Sequence, residues 1–503
     1  MINKLRGILL PLSLALVGLS CASTKPQLSN KVLDKRKPNV IFIMVDDMGY
    51  GELGSYGQKV MRTPNLDQMA KEGKRFTQFY AGSAVCAPSR ASLMTGKHSG
   101  HAHIRGNYEL GGFSDETEFG QLPLLPATVT LGTMMQQAGY KTAAIGKWGL
   151  GGQNSVGRPN LQGFDYFFGY LDQKQAHNHA PTHLWRNQKW TALDNDFLDM
   201  HHLKLPNFDY NDPKSYAQFK RTDFAQARMN QDALNFIEQN QHQPFFLYLA
   251  YAMPHAALQA PDKEIEQYDF EVDPPEKVGY YMPVEKPRAT RAAMVSYTDK
   301  HVGEVLNKLK ALNIADNTLV IFTSDNGATP EGGADMAFFK ANGDLRGFKR
   351  QLYEGGIRMP MLAWWPGKIA AGTVSTHIGA FWDVMPTLAD LTQQSAPEST
   401  DGMSFLPDLL GQGEQAEHNY LYWEFPQGKH KAQAIRDGKW KAIRLYKGVK
   451  EKGYTTEFEL YDLSKDVAET TDLASSHPSL VAKYKALMDT SRTRSWIDKW
   501  NFD

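Results

Sequence analysis

The feature that most restricts this chain is a series of apolar runs, each stopped by a polar residue of a chemically useful type. Asn39–Val45 is the clearest, with no alternation of polar and apolar side chains, as expected of a strand covered on both faces. It ends at Asp46 and Asp47, followed by Gly49 and Gly51. Thr63 and Pro64 then supply an N-cap and a first helical residue, predicting a helix over 63–72. A short strand over 76–80 leads to Cys86. A helix over 131–138, capped by Gly139, precedes a strand over 140–145 that ends at Gly146 and Lys147. A helix over 224–239 precedes a strand over 245–251 that ends at Pro254 and His255. An amphipathic helix over 288–312, apolar at Ala293, Val295, Val302, Val305 and Leu309, precedes a strand over 318–323 and then Asp325, Asn326 and Gly327.

This alternation predicts an α/β fold, a large and mostly parallel sheet sandwiched by helices. Ligands in such sheets bind beyond the carboxyl ends of the strands, so Asp46, Asp47, Cys86, Lys147, His255, Asp325 and Asn326 are expected at one rim. Past Asp408 the texture changes to short alternating segments with turns such as Asp437-Gly438, predicting a small antiparallel sheet closed by a helix over 479–488. The predicted organisation is therefore a catalytic domain over 38–408 and an α+β subdomain over 409–503.

The first 21 residues read as an export signal, with Lys4 and Arg6 ahead of an apolar core over 8–19 and a small-residue end at Ser20 and Cys21. The core is too short to span a bilayer stably, and no later apolar run is long enough. Cys21 resembles a bacterial lipoprotein processing site, and residues 22–37 are polar, as a tether is. The expectation is a periplasmic or outer-membrane lipoprotein touching membrane only through a lipid anchor; the plainer reading is a cleaved signal and a soluble exported protein.

Composition narrows function further. The chain carries 55 basic and 55 acidic side chains, so no polyanion-binding surface is expected and nucleic acid is not a partner. Its two cysteines are Cys21 and Cys86, and processing at Cys21 leaves Cys86 without an internal disulfide partner in an oxidising compartment. Asp46, Asp47, Asp325 and Asn326 offer only hard oxygen ligands, which favours Ca²⁺ or Mg²⁺ over zinc.

Cys86, Pro88, Ser89 and Arg90 have the C-x-P-S-R spacing. With Val45-Asp46-Asp47, Thr63-Pro64-Asn65, Gly146-Lys147-Trp148, Pro254-His255, Ser324-Asp325-Asn326-Gly327, Leu345-Arg346-Gly347 and the 353–358 stretch, they occur in the order of the formylglycine-dependent (type I) sulfatases. From about Lys37 to the C-terminus the chain resembles that family, part of the alkaline phosphatase superfamily, and in particular bacterial carbohydrate sulfatases. The resemblance implies that Cys86 is oxidised to formylglycine (3-oxoalanine) by a formylglycine-generating or anaerobic sulfatase-maturing enzyme. It implies one Ca²⁺ held by Asp46, Asp47, Asp325 and Asn326 beside residue 86. The hydrated aldehyde would attack sulfur, His255 would protonate the departing alcohol, Arg90 and Lys147 would stabilise the diol, and Lys147 and Lys349 would bind sulfate oxygens. The substrate implied is a sulfate monoester on a polysaccharide or oligosaccharide.

The chain departs from the family pattern in two places. Met94 and Lys97 differ from the usual L-T-G-R after the modified cysteine. Gly149 stands where many members have a histidine; His177 is the candidate to take over, with His179 nearby. Arg350, His183 and Trp185 are further pocket candidates, and Glu354 and Arg358 read as structural. Two other readings stay open: a phosphodiester or phosphonate monoester hydrolase of the same superfamily, and a weakly active lipoprotein that binds sulfated glycans.

Overall fold

The computed structural model describes residues 37–449 and 453–503; the expected export signal, and its tether up to residue 36, lie outside them. Arg36–Asp503 forms one compact unit. Its strands are β1 (Asn39–Val45), β2 (Lys74–Tyr80), the hairpin β3 (Phe113–Ser114) and β4 (Thr117–Glu118), β5 (Lys141–Lys147), β6 (Tyr166–Tyr170), β7 (His183–Arg186), β8 (Lys189–Ala192) and β9 (Phe245–Ala250). There follow β10 (Thr318–Ser324), β11 (Arg358–Trp364), β12 (Thr373–Ser375), β13 (Gly379–Ala380), β14 (Leu421–Phe425), β15 (Ala432–Asp437), β16 (Trp440–Gly448) and β17 (Tyr454–Asp462). Helices that shape the site are α1 (Pro64–Glu72), α2 (Cys86–Thr95), α3 (Leu131–Gln137), α4 (Ala225–Asn240), the short α5 (Asp262–Ile265) and α6 (Pro287–Ala311).

The large sheet runs β12-β2-β11-β10-β1-β9-β5-β6-β7-β8, with β13 also paired to β2. Its centre, β10-β1-β9-β5-β6, is parallel. The flanks turn antiparallel at β10–β11, β11–β2, β6–β7 and β7–β8. The sheet is thus mixed: the predicted strands β1, β5, β9 and β10 lie in its parallel part, whereas β2, expected over 76–80, pairs antiparallel with β11. Strand β11 begins at Arg358, the last residue of the 353–358 motif, and was not expected from the sequence.

The unbroken apolarity of β1 has a direct cause. Every residue of Asn39–Val45 is buried, with Ile41, Ile43 and Val45 entering one core layer and Val40, Phe42 and Met44 the other. At about 1.5–3 kcal/mol for each large apolar side chain buried, a two-faced strand anchors both layers at once. Helix α6 departs from the amphipathic expectation: Arg291, Asp299 and His301 are buried as well as its apolar positions. It packs against α1, α4 and α5, so its polar side chains meet protein partners rather than water.

The sheet β14-β15-β16-β17 is antiparallel throughout, as expected beyond residue 408. Its Tyr422, Ile435 and Leu460 pack on Tyr484 and Met488 of the C-terminal helix Pro478–Thr490. On the other side Trp423, Phe425 and Ile443 share a core with Tyr80, Val85 and Trp382. Glu354 and Arg358 are structural, as read: Glu354 binds Lys441 of β16 (2.8 Å), Tyr80 (2.7 Å) and Arg358 (3.3 Å).

Candidate active site

Parallel pairing in register places Val45 beside Ser324, so β1 and β10 end together and deliver Asp46, Asp47, Asp325 and Asn326 to one point. All four are fully buried. Asp47 has φ 61°, a left-handed conformation that turns the chain back at the strand end. Arg291 of α6 holds that turn, donating to the Asp47 carbonyl (2.9 Å) while pairing with Glu52 (2.7 Å). The Asp47 amide donates to Asp325 Oδ1 at 3.2 Å, and Asn326 Nδ2 to Asp47 Oδ1 at 2.6 Å.

Cys86 is the first residue of α2, and Val85 is its N-cap in extended conformation. The start of the helix therefore meets the carboxylates, with Cys86 Sγ 3.1 Å from Asp46 Oδ1. Burial first, and then the charge of Asp46, push the Cys86 thiol well up, so a reactive thiolate is not what this environment favours. One turn on, Arg90 donates to Asp325 Oδ2 (3.0 and 2.8 Å) and to the Lys147 carbonyl (2.8 Å), with Asp46 at 3.5 Å. Its guanidinium faces the carboxylates rather than the open cleft.

Lys147, the last residue of β5, lies 2.5 Å from Asp46 Oδ2, and Lys349 lies 2.6 Å from Asp47 Oδ2. Burial alone would raise the Asp46 carboxyl; Lys147, His255, Arg90 and Lys349 outweigh it and hold the group well below the usual carboxylate range. Burial and the charge of Asp46 push Asp325 up to about 7. His255 sits just beyond β9, its Nδ1 hydrogen-bonded to the Ala256 carbonyl and its Nε2 3.1 Å from Lys349 Nζ and 3.4 Å from Asp47 Oδ2. Burial and Lys349 lower its pKa well below the ordinary histidine value.

These groups open into a cleft of about 420 Å³. Cys86, His177, His255, Lys349 and Arg350 line it. Arg350, with φ 74°, is paired with Glu331 at the same wall. His179 points elsewhere, its Nε2 bonded to the His255 carbonyl at 2.8 Å, so it supports the His255 loop. His183 and Trp185 are not cleft residues: His183 Nε2 meets Glu118 at 2.6 Å and stacks on Trp190, and Trp185 Nε1 donates to Glu118 at 3.0 Å. Neither the loop residues Asn107, Glu109 and Gln173, nor Tyr280, Tyr281 and Glu331, stood out in the sequence, yet all line the cleft. The same holds for Phe425, Gln427, Lys429 and His430, which the C-terminal sheet brings to its wall. No motif marks them, because loops reach the cleft by topology rather than by local pattern.

The donor chemistry fits a hard divalent cation. Asp46, Asp47, Cys86 and His255 offer ligand atoms within 4.8 Å of one another. Asn326 Oδ1 is buried with no hydrogen-bond partner, a carbonyl oxygen left over while Nδ2 donates to Asp47. Because Arg90, Lys147 and Lys349 already balance the three aspartates, a divalent cation would leave the site net positive, which suits an anionic substrate.

Comparison with known proteins shows the family. Residues 38–394 match the Sulfatase family, and residues 344–493 match the family described as N-sulphoglucosamine sulphohydrolase, C-terminal. Human N-acetylgalactosamine-6-sulfatase is 33% identical over 78% of this chain and 71% of its own length. The N-acetylgalactosamine-6-O-sulfatase of Bacteroides thetaiotaomicron is 30% identical over 97% of this chain and 99% of its own. The crystal structure of Ps i-CgsB in complex with k-i-k-neocarrahexaose superposes with a TM-score of 0.71 at 27% identity, covering 93% of this chain and 95% of that one. The chain belongs to the sulfatase family, enzymes that hydrolyse sulfate esters.

Proposed function

We propose that this protein is an exported carbohydrate sulfatase that works with Cys86 oxidised to formylglycine and with one Ca²⁺ bound by Asp46, Asp47, Asp325 and Asn326. The observation that carries the reading is the convergence of a lone buried cysteine at a helix start, 3.1 Å from a carboxylate, with two buried lysines and a histidine at one strand-end rim. The bound ion would supply charge neutralisation and acidify a neighbouring hydroxyl, and the oxidised side chain would supply a nucleophile that is regenerated after each turnover.

The chain's own residues do the remaining work. Arg90 fixes the Asp325 carboxylate and the end of β5, so it positions the ion-binding group. Lys349 carries positive charge into the wall of the cleft, where sulfate oxygens would lie, and Lys147 adds its charge from the buried side, against Asp46. His255, fixed through Nδ1–H to the Ala256 carbonyl, lines the cleft with its Nε2 3.1 Å from Lys349 Nζ, so Nε2 would take a proton from Lys349 and pass it to the departing alcohol. The cleft walls mix aromatic and polar groups, Tyr280, Tyr281, Glu109, Gln427 and Lys429 among them, which suits a sugar. The named relatives make 6-O-sulfated N-acetylgalactosamine the substrate to assay first.

Protein made with a Cys-oxidising maturation enzyme is expected to release sulfate from 6-O-sulfated N-acetylgalactosamine or a related sulfated sugar. It should turn over the matched phosphate ester and phosphonate monoester far more slowly. Cys86→Ala should lose roughly 10³-fold or more in kcat while keeping its thermal midpoint, and chelation by EDTA should lower both activity and thermal midpoint. Aldehyde-bearing protein that binds no divalent ion and leaves every sulfated sugar intact would overturn the proposal. Export with a lipid at Cys21 is tested separately: Cys21→Ser should abolish incorporation of labelled lipid and move the protein to the soluble fraction.

A further inference from the structure

Position 149 has no side chain, and the structure shows that one there would be strained. Gly149 adopts φ 70°, and a Cβ there would lie 2.8 Å from Gln173 Cγ. The cleft nevertheless holds a second imidazole. His177 lies flat on His255, ring centroids 4.6 Å apart and planes inclined by 13°. Its Nδ1 is 2.8 Å from His201 Nε2, so one of these nitrogens carries the shared proton. The other nitrogen of His201, Nδ1, has Asp199 Oδ1 3.8 Å away, an oxygen that already accepts the His201 backbone N–H at 2.9 Å; its negative charge, without a hydrogen bond to the ring, favours a proton on His201 Nδ1 and leaves Nε2 as the acceptor. His177 then donates through Nδ1 and keeps a lone pair on Nε2, on the ring that lines the cleft.

From this geometry we propose that His201 is the positioning residue for His177, and that the pair supplies the cleft-facing proton acceptor that Gly149 does not. The inference rests on the sulfatase reading for its role in turnover, but not for its hydrogen-bond geometry. The step is a proton transfer alone: an O–H in the cleft breaks, His177 Nε2–H forms, and the proton is later given up to water. His177 is faced by His255, Tyr281 and His201, with Lys147 and Lys349 nearby. Burial, His255, Lys147, Lys349 and any charge on His201 itself all oppose a positive His177, so the protonated ring is supported only while His201 stays neutral and accepts from Nδ1–H at 2.8 Å. His201 in turn is faced by Asp199, Lys174, His202, Tyr280 and Tyr281, and it bridges in antiparallel fashion to Tyr281, itself a cleft residue.

Two measurements test the proposal. In [¹⁵N]histidine-labelled protein that still carries the Cys86 thiol, His177 should appear as the Nδ1–H tautomer, and His201→Phe should convert it largely to Nε2–H. In matured enzyme assayed with 4-methylumbelliferyl sulfate, His201→Phe should lower kcat roughly 10–100-fold, as loss of an orienting partner does. KM should stay within about threefold, and His201→Gln, whose amide reaches the place of Nε2, should recover part of the loss. His177→Ala should cost at least as much, and adding His201→Phe to it should cost nothing more. A wild-type Nε2–H tautomer, an unchanged kcat in His201→Phe, or additive losses would overturn the inference alone. Matured wild-type enzyme inactive on this probe and on every sulfated sugar would overturn the sulfatase reading, while the tautomer result would still report on the pair.

Discussion

At the scale of single residues, conformation and space decide what chemistry is available. Gly149 combines φ 70° with a side chain, Gln173, that a Cβ would have to push aside. Gly149→His should therefore destabilise the protein by about 1–3 kcal/mol, from left-handed strain and displacement of Gln173, without raising turnover above wild type. Adding Gln173→Ala should recover the packing part and leave the backbone part, which denaturant unfolding of both variants would separate. Asn326 makes the opposite point. Its Oδ1 has no hydrogen-bond partner and is free to bind the cation proposed above, so Asn326→Ala should weaken Ca²⁺-dependent thermal stabilisation by roughly tenfold or more in apparent affinity, read from melting curves across a Ca²⁺ titration.

At the scale of elements, the site is made by strand ends and held by a helix that does not line the cleft. Helix α6 sends Arg291 into the turn after β1, where it satisfies Glu52 and the Asp47 carbonyl. Arg291→Met would leave Glu52 buried and unpaired, at a cost of about 3–5 kcal/mol, and would loosen Asp47; Glu52→Gln in the same chain should restore much of the stability. Chemical unfolding checks the first effect, and Ca²⁺ titration the second. The strands and helices around this turn were legible because their apolar period and caps are local signals. The Arg291–Glu52 pair was not, since it joins residues 239 apart in sequence.

At the scale of the whole molecule, a buried triad ties the C-terminal sheet to the catalytic part. Lys441 has no exposure and meets Glu354 at 2.8 Å and Glu469 at 3.5 Å. Burial would raise the Glu354 carboxyl, but Lys441, Arg436 and Arg358 hold it at about 2; burial pushes Glu469 up to about 7. Glu354 is depressed below its ordinary value of 4.5, so its contribution is present above about pH 4.5 and lost as pH falls toward 2. Glu469 is raised, so its contribution is greatest below about pH 4.5 and is lost as pH rises through 7. The triad should therefore stabilise most near pH 4.5–5. Lys441→Met should cost about 3–5 kcal/mol at pH 7.5, where both acids would be buried as anions, and less at pH 5, where they take up protons. Urea unfolding at the two values gives the difference, and an equal penalty at both would contradict this account.

The sequence by itself determined the strand-end series, the hard-oxygen ligand set, the lone cysteine at a helix start and the family these imply, because each is written in a few adjacent residues. Tertiary structure decided which side chains share the cleft. It brought His177 onto His255 and His201 onto His177, turned Arg90 toward Asp325, and carried Gln427, Lys429 and His430 across from the C-terminal sheet. Such meetings are set by strand order and by packing between distant segments, and neither leaves a periodic or spaced trace along the chain.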